Sequence, residues 1–304
     1  MLVVLFCVVT ITFVLGQMMP GSPFTQERSI PEATLKQLKA RFNLDGTLWD
    51  QYTIYMGLRP NPSGHYSGLL QGDLQLSTKY RNRSVKDLLG DSLPISAALG
   101  LAAFFIATTA GVWLGTIAAV RHNTLVDAGA MLSALALISI PTFVTAPVLI
   151  LAFGIWMRAL PVGGWGSWTS IMLPAITLAG PYIAYIARLM RTSMLEVLGQ
   201  DFIRTAYAKG LAERRVVHKH AMKVAILPVV SFLGPLAAYL LTGSLIVEMI
   251  FNIPGAGPFF VNSILNHDTF LLEGSVIVYC TVLVALNLVV DIAYTFLDSR
   301  IRLE

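Results

Sequence analysis

The chain alternates six long apolar runs with polar segments of very unequal length. The runs cover residues 1–19, 93–120, 128–155, 171–190, 225–249 and 274–297. A helix of about 20 apolar residues crosses a hydrocarbon layer, so the pattern predicts six transmembrane helices. Pro141 and Pro147 in the third run, and Pro174 and Pro181 in the fourth, predict kinks, because each proline removes a backbone donor and crowds the preceding turn. Gly111 and Gly115 in the second run fall on one helical face, where a neighbouring helix can approach closely.

Two polar segments set the topology. Residues 201–228 carry Arg204, Lys209, Arg214, Arg215, Lys219 and Lys223, opposed only by Asp201 and Glu213. Short basic loops stay in the cytoplasm, which places this one there together with the Arg121-His122-Asn123 turn and both termini. Inside the loop, a helical run over 194–209 ends at Gly210, which supplies a left-handed stop, and a second run continues to Lys223. Residues 27–91 are long, mixed in charge and broken around Arg59-Pro60-Asn61-Pro62-Ser63-Gly64, so they form an extramembrane segment on the opposite side. Within it, residues 31–42 predict a helix with Leu35, Leu38 and Phe42 as its apolar stripe. Trp165 and Trp168 mark the outer interface between the third and fourth runs. The uncharged first run lacks the basic start of a cleaved secretory leader and reads as a retained span.

Composition narrows the class further. With 55% hydrophobic and only 12% charged residues, the chain is far outside the range of soluble domains. A net charge of +4 with its surplus in one loop gives no nucleic-acid surface. Cys7 and Cys280 lie in apolar runs and read as small buried thiols. The five histidines are scattered over different loops, so no metal site is expected. No G-x-x-x-x-G-K-[ST] or G-x-S-x-G stretch occurs, and Ser139, Ser231 and Ser244 have no histidine in an apolar run to serve an intramembrane protease. Hence no catalytic residue is assigned, and any ATP hydrolysis belongs to another chain.

Polar groups inside the apolar runs are the candidates for a path or gate. Glu248, read as close enough to an interface to extend toward water, joins Ser244, Asn287 and Asp291, the last within reach of Arg188 or Arg300. Pro254, Gly255 and Gly257 predict a tight turn before Phe259, Phe260, Val261, Ile264 and Leu265, a segment read as an interfacial helix or a lid. A secondary transporter needs a coupling-ion site and usually an inverted repeat; no repeat is visible, and Asp291 alone is a thin ion site.

Arg204-Thr205-Ala206, three further residues and then Gly210 match the spacing of the E-A-A-x-x-x-G loop of ABC-importer permeases, with Arg204 where the general motif has Glu. The run from His220 to Pro228 resembles the peptide-permease version. Pro20-Gly21-Ser22-Pro23, Leu160-Pro161-Val162-Gly163-Gly164-Trp165, Ile253-Pro254-Gly255-Ala256-Gly257 and Leu297-Asp298-Ser299-Arg300-Ile301-Arg302 extend the likeness along the chain. The sequence is thus similar to the B-type permease subunit of bacterial oligopeptide importers. That resemblance implies an all-α, type I ABC-importer permease fold in the bacterial inner membrane. It implies a first helix at 1–19, a periplasmic segment at 20–92 and a core at 93–304, with a coupling loop near 191–225. Arg204, Thr205, Ala206, Lys209, Gly210, Arg214, Arg215 and His220 would meet the ATPase. Implied partners are a second, homologous permease, two ATPase subunits holding ATP and Mg, a periplasmic peptide-binding protein and the lipid bilayer; this chain itself carries no cofactor. Relatives of this kind also take dipeptides, glutathione or nickel chelates, while Pro20-Gly21-Ser22-Pro23-Phe24-Thr25 leans toward oligopeptides.

Overall fold

The computed structural model describes residues 2–18, 32–42, 44–61 and 64–297. Residues 20–25, Pro31, the Asp291 side chain and residues 298–304 lie outside them. The described chain is helical, with no strand beyond one isolated bridge between Leu76 and Ser84. In order come α1 (Leu2–Met18), α2 (Glu32–Arg41), α3 (Leu48–Met56), α4 (Val85–Val120), α5 (Leu125–Ser139), α6 (Thr142–Leu149), α7 (Trp168–Leu198) and α8 (Asp201–Ala208). Then follow α9 (Glu213–Arg215), α10 (Met222–Ala225), α11 (Leu227–Leu241), α12 (Leu245–Ile250), α13 (Gly257–Leu265) and α14 (Thr269–Leu297). π-helical turns at Ile150–Trp156 and Val216–Ala221 follow α6 and α9.

Among the described residues, α4, α7 and most of α14 are long and apolar enough to cross a membrane. Two bent pairs raise the number to five: Leu125–Ser139 with Thr142–Trp156, at 108°, and Glu213–Ala225 with Leu227–Leu241, at 54°. The first break has a local cause. Ile140 precedes Pro141 and is extended (φ −89°, ψ 120°), as the proline ring demands of its neighbour. At the second, Pro228 cannot bond back to the Val224 carbonyl. α7 instead runs through Pro174 and Pro181 without a break, so the expected kink does not interrupt it. α1 is uncharged and mostly apolar but has 17 residues.

Several boundaries differ from those the hydropathy suggests. α4 begins at Val85, because Val85, Leu88 and Leu89 bury one face while Lys86, Asp87 and Asp91 stay exposed on the other. An average over such a turn looks polar. The fifth run is not one helix: α11 ends at Leu241, and Gly243 turns left-handed (φ +99°) before α12. Cys7 is exposed on α1 rather than buried.

The chain divides into two compact units. In the unit of residues 1–95 and 255–284, Phe42, Leu74, Val85, Leu89, Phe270 and Leu271 form the core. The predicted helix at 31–42 appears as α2, with Leu38 and Phe42 packed on that core and Phe42 stacked on Phe270. Asp268 fastens this unit from a fully buried position: it caps α14 by accepting the Leu271 N–H at 3.2 Å. It also accepts the Ser77 hydroxyl and the Thr78 and Lys79 N–H groups.

In the unit of residues 96–254 and 285–304, α7 is the hub, touching α5, α6, α10, α11 and α12. Its N-terminus is closed by a reciprocal cap: Ser167 Oγ accepts the Ser170 N–H, and Ser170 Oγ accepts the Ser167 N–H. α4 meets its neighbours through a stripe of small residues. Gly111 lies against Ile186, Gly115 against the Ala187 carbonyl and Gly100 against the Leu240 carbonyl, with Ala103, Ala107 and Ala118 fully buried between and beyond them. The glycine pair visible in the sequence therefore does mark a helix crossing, with α7 as the partner.

Candidate functional site

The loop after α7 turns an exposed basic surface around one glycine. In α8, Ile203 and Ala206 lie three apart on one face and are buried, and the helix packs against the Val216–Ala221 turn, which buries Val216, Val217 and Ala221. Arg204, Thr205 and Lys209 therefore point outward, as do Phe202 and Tyr207. Among the described residues, the Arg204 guanidinium pairs with Asp201 of its own helix, at 3.5 Å and on the surface. Gly210 has φ +75°, and its N–H donates to the Tyr207 carbonyl at 2.9 Å. Among the described residues, leaving aside its chain neighbours, nothing lies within 4 Å of the place a Cβ would occupy, so the left-handed backbone is what selects glycine there. Arg214 and Arg215 are exposed just beyond the corner, and His220 is half-buried.

The single helix expected over 194–209 is two helices. α7 stops at Leu198, Gln200 is extended (φ −78°, ψ 154°), and Asp201 opens α8, where a carboxylate favours a helix N-terminus. The left-handed stop falls at Gly210 as expected. The break at Gln200 frees α8 from the direction of α7.

Ser244 and Glu248 come together at the other end of α11. Ser244 Oγ accepts the Val247 N–H at 3.3 Å, and Glu248 Oε1 accepts the Ser244 N–H at 3.0 Å, so both close the first turn of α12. Glu248 is fully buried and does not extend to an interface; it lies on the inner side of this short helix, and Ser96 and the Gly243 corner stand beside its carboxylate. Phe251 follows, and its carbonyl accepts the Gly164 N–H at 2.7 Å. A Cβ on Gly163 would stand 2.5 Å from the same oxygen. The glycine-rich stretch near Trp165 thus seats on the Phe251 turn, in addition to any interfacial role of its tryptophans. Ile253 N–H donates to the Glu248 carbonyl, fixing the approach to Pro254. Gly255 and Gly257 precede and open α13, and Asn287 is half-buried in α14.

A family model described as a binding-protein-dependent transport system inner membrane component matches residues 111–303, which include the loop and the Ser244–Glu248 turn. The chain belongs to that family. This permease is 41% identical over 300 residues to the oligopeptide transport system permease protein OppB of Haemophilus influenzae, covering 98% of this chain and 95% of the relative. It is 42% identical to the OppB of Escherichia coli over the same shares, and 42% identical to the dipeptide transport system permease protein DppB of Bacillus subtilis, covering 98% and 93%. A solved structure titled as an inward-facing MetNI methionine ABC transporter shares the fold. Its TM-score is 0.57 at 15% identity, over 69% of this chain and 96% of that one. The fold is accordingly that of a type I importer permease, and the protein is a multi-pass component of the bacterial inner membrane.

One cluster of the permease escapes a reading by motif. Asp127, at the start of α5, accepts two bonds from the Arg191 guanidinium, Nε at 2.6 Å and Nη2 at 2.7 Å. It also accepts the Asn123 N–H at 3.1 Å, with His122 Nδ1 3.1 Å away. The two partners are 64 residues apart. Only an acid four residues past a basic turn, opposite a basic residue late in another apolar run, hinted at it. The clamp ties the turn after α4 to the last part of α7, from which the loop departs.

Proposed function

We propose that this permease forms half of the translocation path of an ATP-driven importer of oligopeptides. Its similarity to the two OppB proteins over nearly the whole of both chains carries the reading. A second, homologous permease completes the path, which the third to fifth spans line, in a six-span chain with both ends in the cytoplasm and residues 20–92 in the periplasm. Two ATPase subunits hold ATP and Mg and dock on the exposed face of Arg204, Lys209 and Arg215. A periplasmic binding protein delivers the cargo, and Ser244 and Glu248 belong to the gate. This chain contributes no ATP-hydrolysing residues. A dipeptide cargo is the second reading, supported by the equal identity to DppB. Uptake of labelled dipeptides and pentapeptides into vesicles holding the complete complex separates the two. ATP-dependent pentapeptide uptake is expected, and uptake restricted to dipeptides, or driven by an ion gradient without ATP, would overturn it.

Two results are expected at the loop. Arg204→Glu, on an exposed side chain, should lower ATPase co-purification severalfold without affecting membrane abundance, because it reverses the charge at the docking face and places two acids one turn apart. At Gly210, peptide uptake at equal membrane abundance should fall in the order Gly, Asn, Ala, Val. A residue with a Cβ costs roughly 1–2 kcal/mol in the left-handed region, asparagine least. Uptake indifferent to that series would remove the corner from the mechanism.

A further inference from the structure

Beside the loop, the second half of α4 and the segment from Glu213 to Ile226 enclose a groove of about 620 Å³. Its walls are apolar, with Val112, Ile117 and Val217 among them, and Trp113 lies along it largely exposed. Its lining also holds three basic side chains, Arg121 just past the end of α4 and Arg214 and His218 one turn apart on the other segment, with Glu213 as the single acid. Among the described residues none of those three basic side chains has an ion pair or hydrogen-bond partner.

We propose that this groove is a binding site for an anionic phospholipid of the cytoplasmic leaflet, with the acyl chain along α4 and the phosphate between Arg121, Arg214 and His218. The pattern has the two halves such a molecule requires. A long apolar channel in the body of a membrane-crossing helix suits a hydrocarbon chain, and a cationic mouth at the level where the helix ends suits a phosphate. Basic pockets between transmembrane helices on the cytoplasmic side recognise lipid headgroups in this way. A peptide helix docking here would fill the apolar channel but leave three cations facing it unpaired, and a free phosphate would leave the channel empty. The assignment of the mouth to the cytoplasmic leaflet rests on the topology of the proposed function; the pairing of channel and cations does not. The consequence is physical: Arg214 belongs to the loop and Arg121 to the end of α4, so a bound phosphate holds the second half of the loop to the transmembrane body.

The test uses the complete complex in nanodiscs doped with phosphatidylglycerol or phosphatidylcholine bearing the same photoactivatable acyl chain, with crosslinked peptides mapped by mass spectrometry. Peptides holding Val112 to Val120 and Val217 to Ile226 should be labelled several-fold more by the anionic lipid. Arg121→Gln should remove that preference, and Val112→Trp, which fills the channel, should reduce labelling by both lipids. Equal labelling by the two headgroups would show ordinary boundary lipid and overturn the proposal. Absence of label from both lipids at these two segments would show that no lipid enters the groove and equally overturn it. Labelling is read without transport, so a wrong cargo leaves the result intact; preference seen only when the lipid is confined to the outer leaflet would refute the topology rather than the site.

Discussion

Gly115→Leu is expected to prevent the permease from folding, with little full-length protein left in the membrane and no isolable complex. A Cβ at this position would stand 2.4 Å from the Ala187 carbonyl oxygen and 2.7 Å from the Met190 Cβ. Both obstacles belong to α7, and the nearer is backbone, so no rotamer change relieves the contact. Overpacked cores typically lose roughly 1–3 kcal/mol by shifting side chains; here a whole helix must shift, and the loss should reach or exceed that range. Gly115→Ala should already lower thermal stability measurably. Gly100→Ala should do the same, since its Cβ would stand 2.1 Å from the Leu240 carbonyl oxygen. The control is Gly90→Ala, earlier in the same helix, where a Cβ meets nothing within 4 Å and alanine improves helix propensity. Thermal unfolding of the purified complex, followed by tryptophan fluorescence, compares the three alanine variants with the parent. Equal stability of Gly115→Ala and the parent would show that α4 and α7 are not packed as described.

The second large effect is expected at the clamp. Asp127→Ala should destabilise the complex by roughly 1.5–3 kcal/mol, the range for hydrogen bonds to charged groups, because it strips the Arg191 guanidinium of two bonds and Asn123 of one. Arg191 keeps part of its surface open to water, which holds the loss below that of a fully enclosed ion pair. Asp127→Asn should lose less, since the amide oxygen still accepts from Asn123. A double-mutant cycle with Arg191→Gln isolates the pair; a coupling energy near zero would mean that the contact contributes nothing. ATP hydrolysis with transport in the same variants checks the mechanical role. If the clamp steadies the base of the loop, transport should fall further than hydrolysis.

What could be read along the chain follows from the range of each signal. Gly210 was legible because a helix stop and a left-handed glycine are local events within one turn. The α4–α7 crossing was half legible: Gly111 and Gly115 announce a close approach, but not which helix makes it. The start of α4 was missed because Lys86, Asp87 and Asp91 outweigh Val85, Leu88 and Leu89 in any average, although the two sets occupy opposite faces. The fifth run looked continuous because Thr242, Gly243 and Ser244 are neutral and short; hydropathy does not register the positive φ that ends α11.

The sequence by itself determined the membrane class, the apolar runs, the basic loop, its glycine corner and the family. These depend on composition and on spacing within a turn or two, where the chemistry of neighbouring residues decides the outcome. Tertiary structure alone decided which polar groups meet. Glu248 reads as an interfacial acid along the chain, yet it closes α12 from a buried position once the chain turns at Gly243. Asp127 and Arg191 lie 64 residues apart, and Asp268 binds a loop nearly two hundred residues earlier. Such partners are fixed by helix packing: a glycine such as Gly115 lets two backbones approach closely, but no pattern of neighbouring residues encodes which helix comes to meet it.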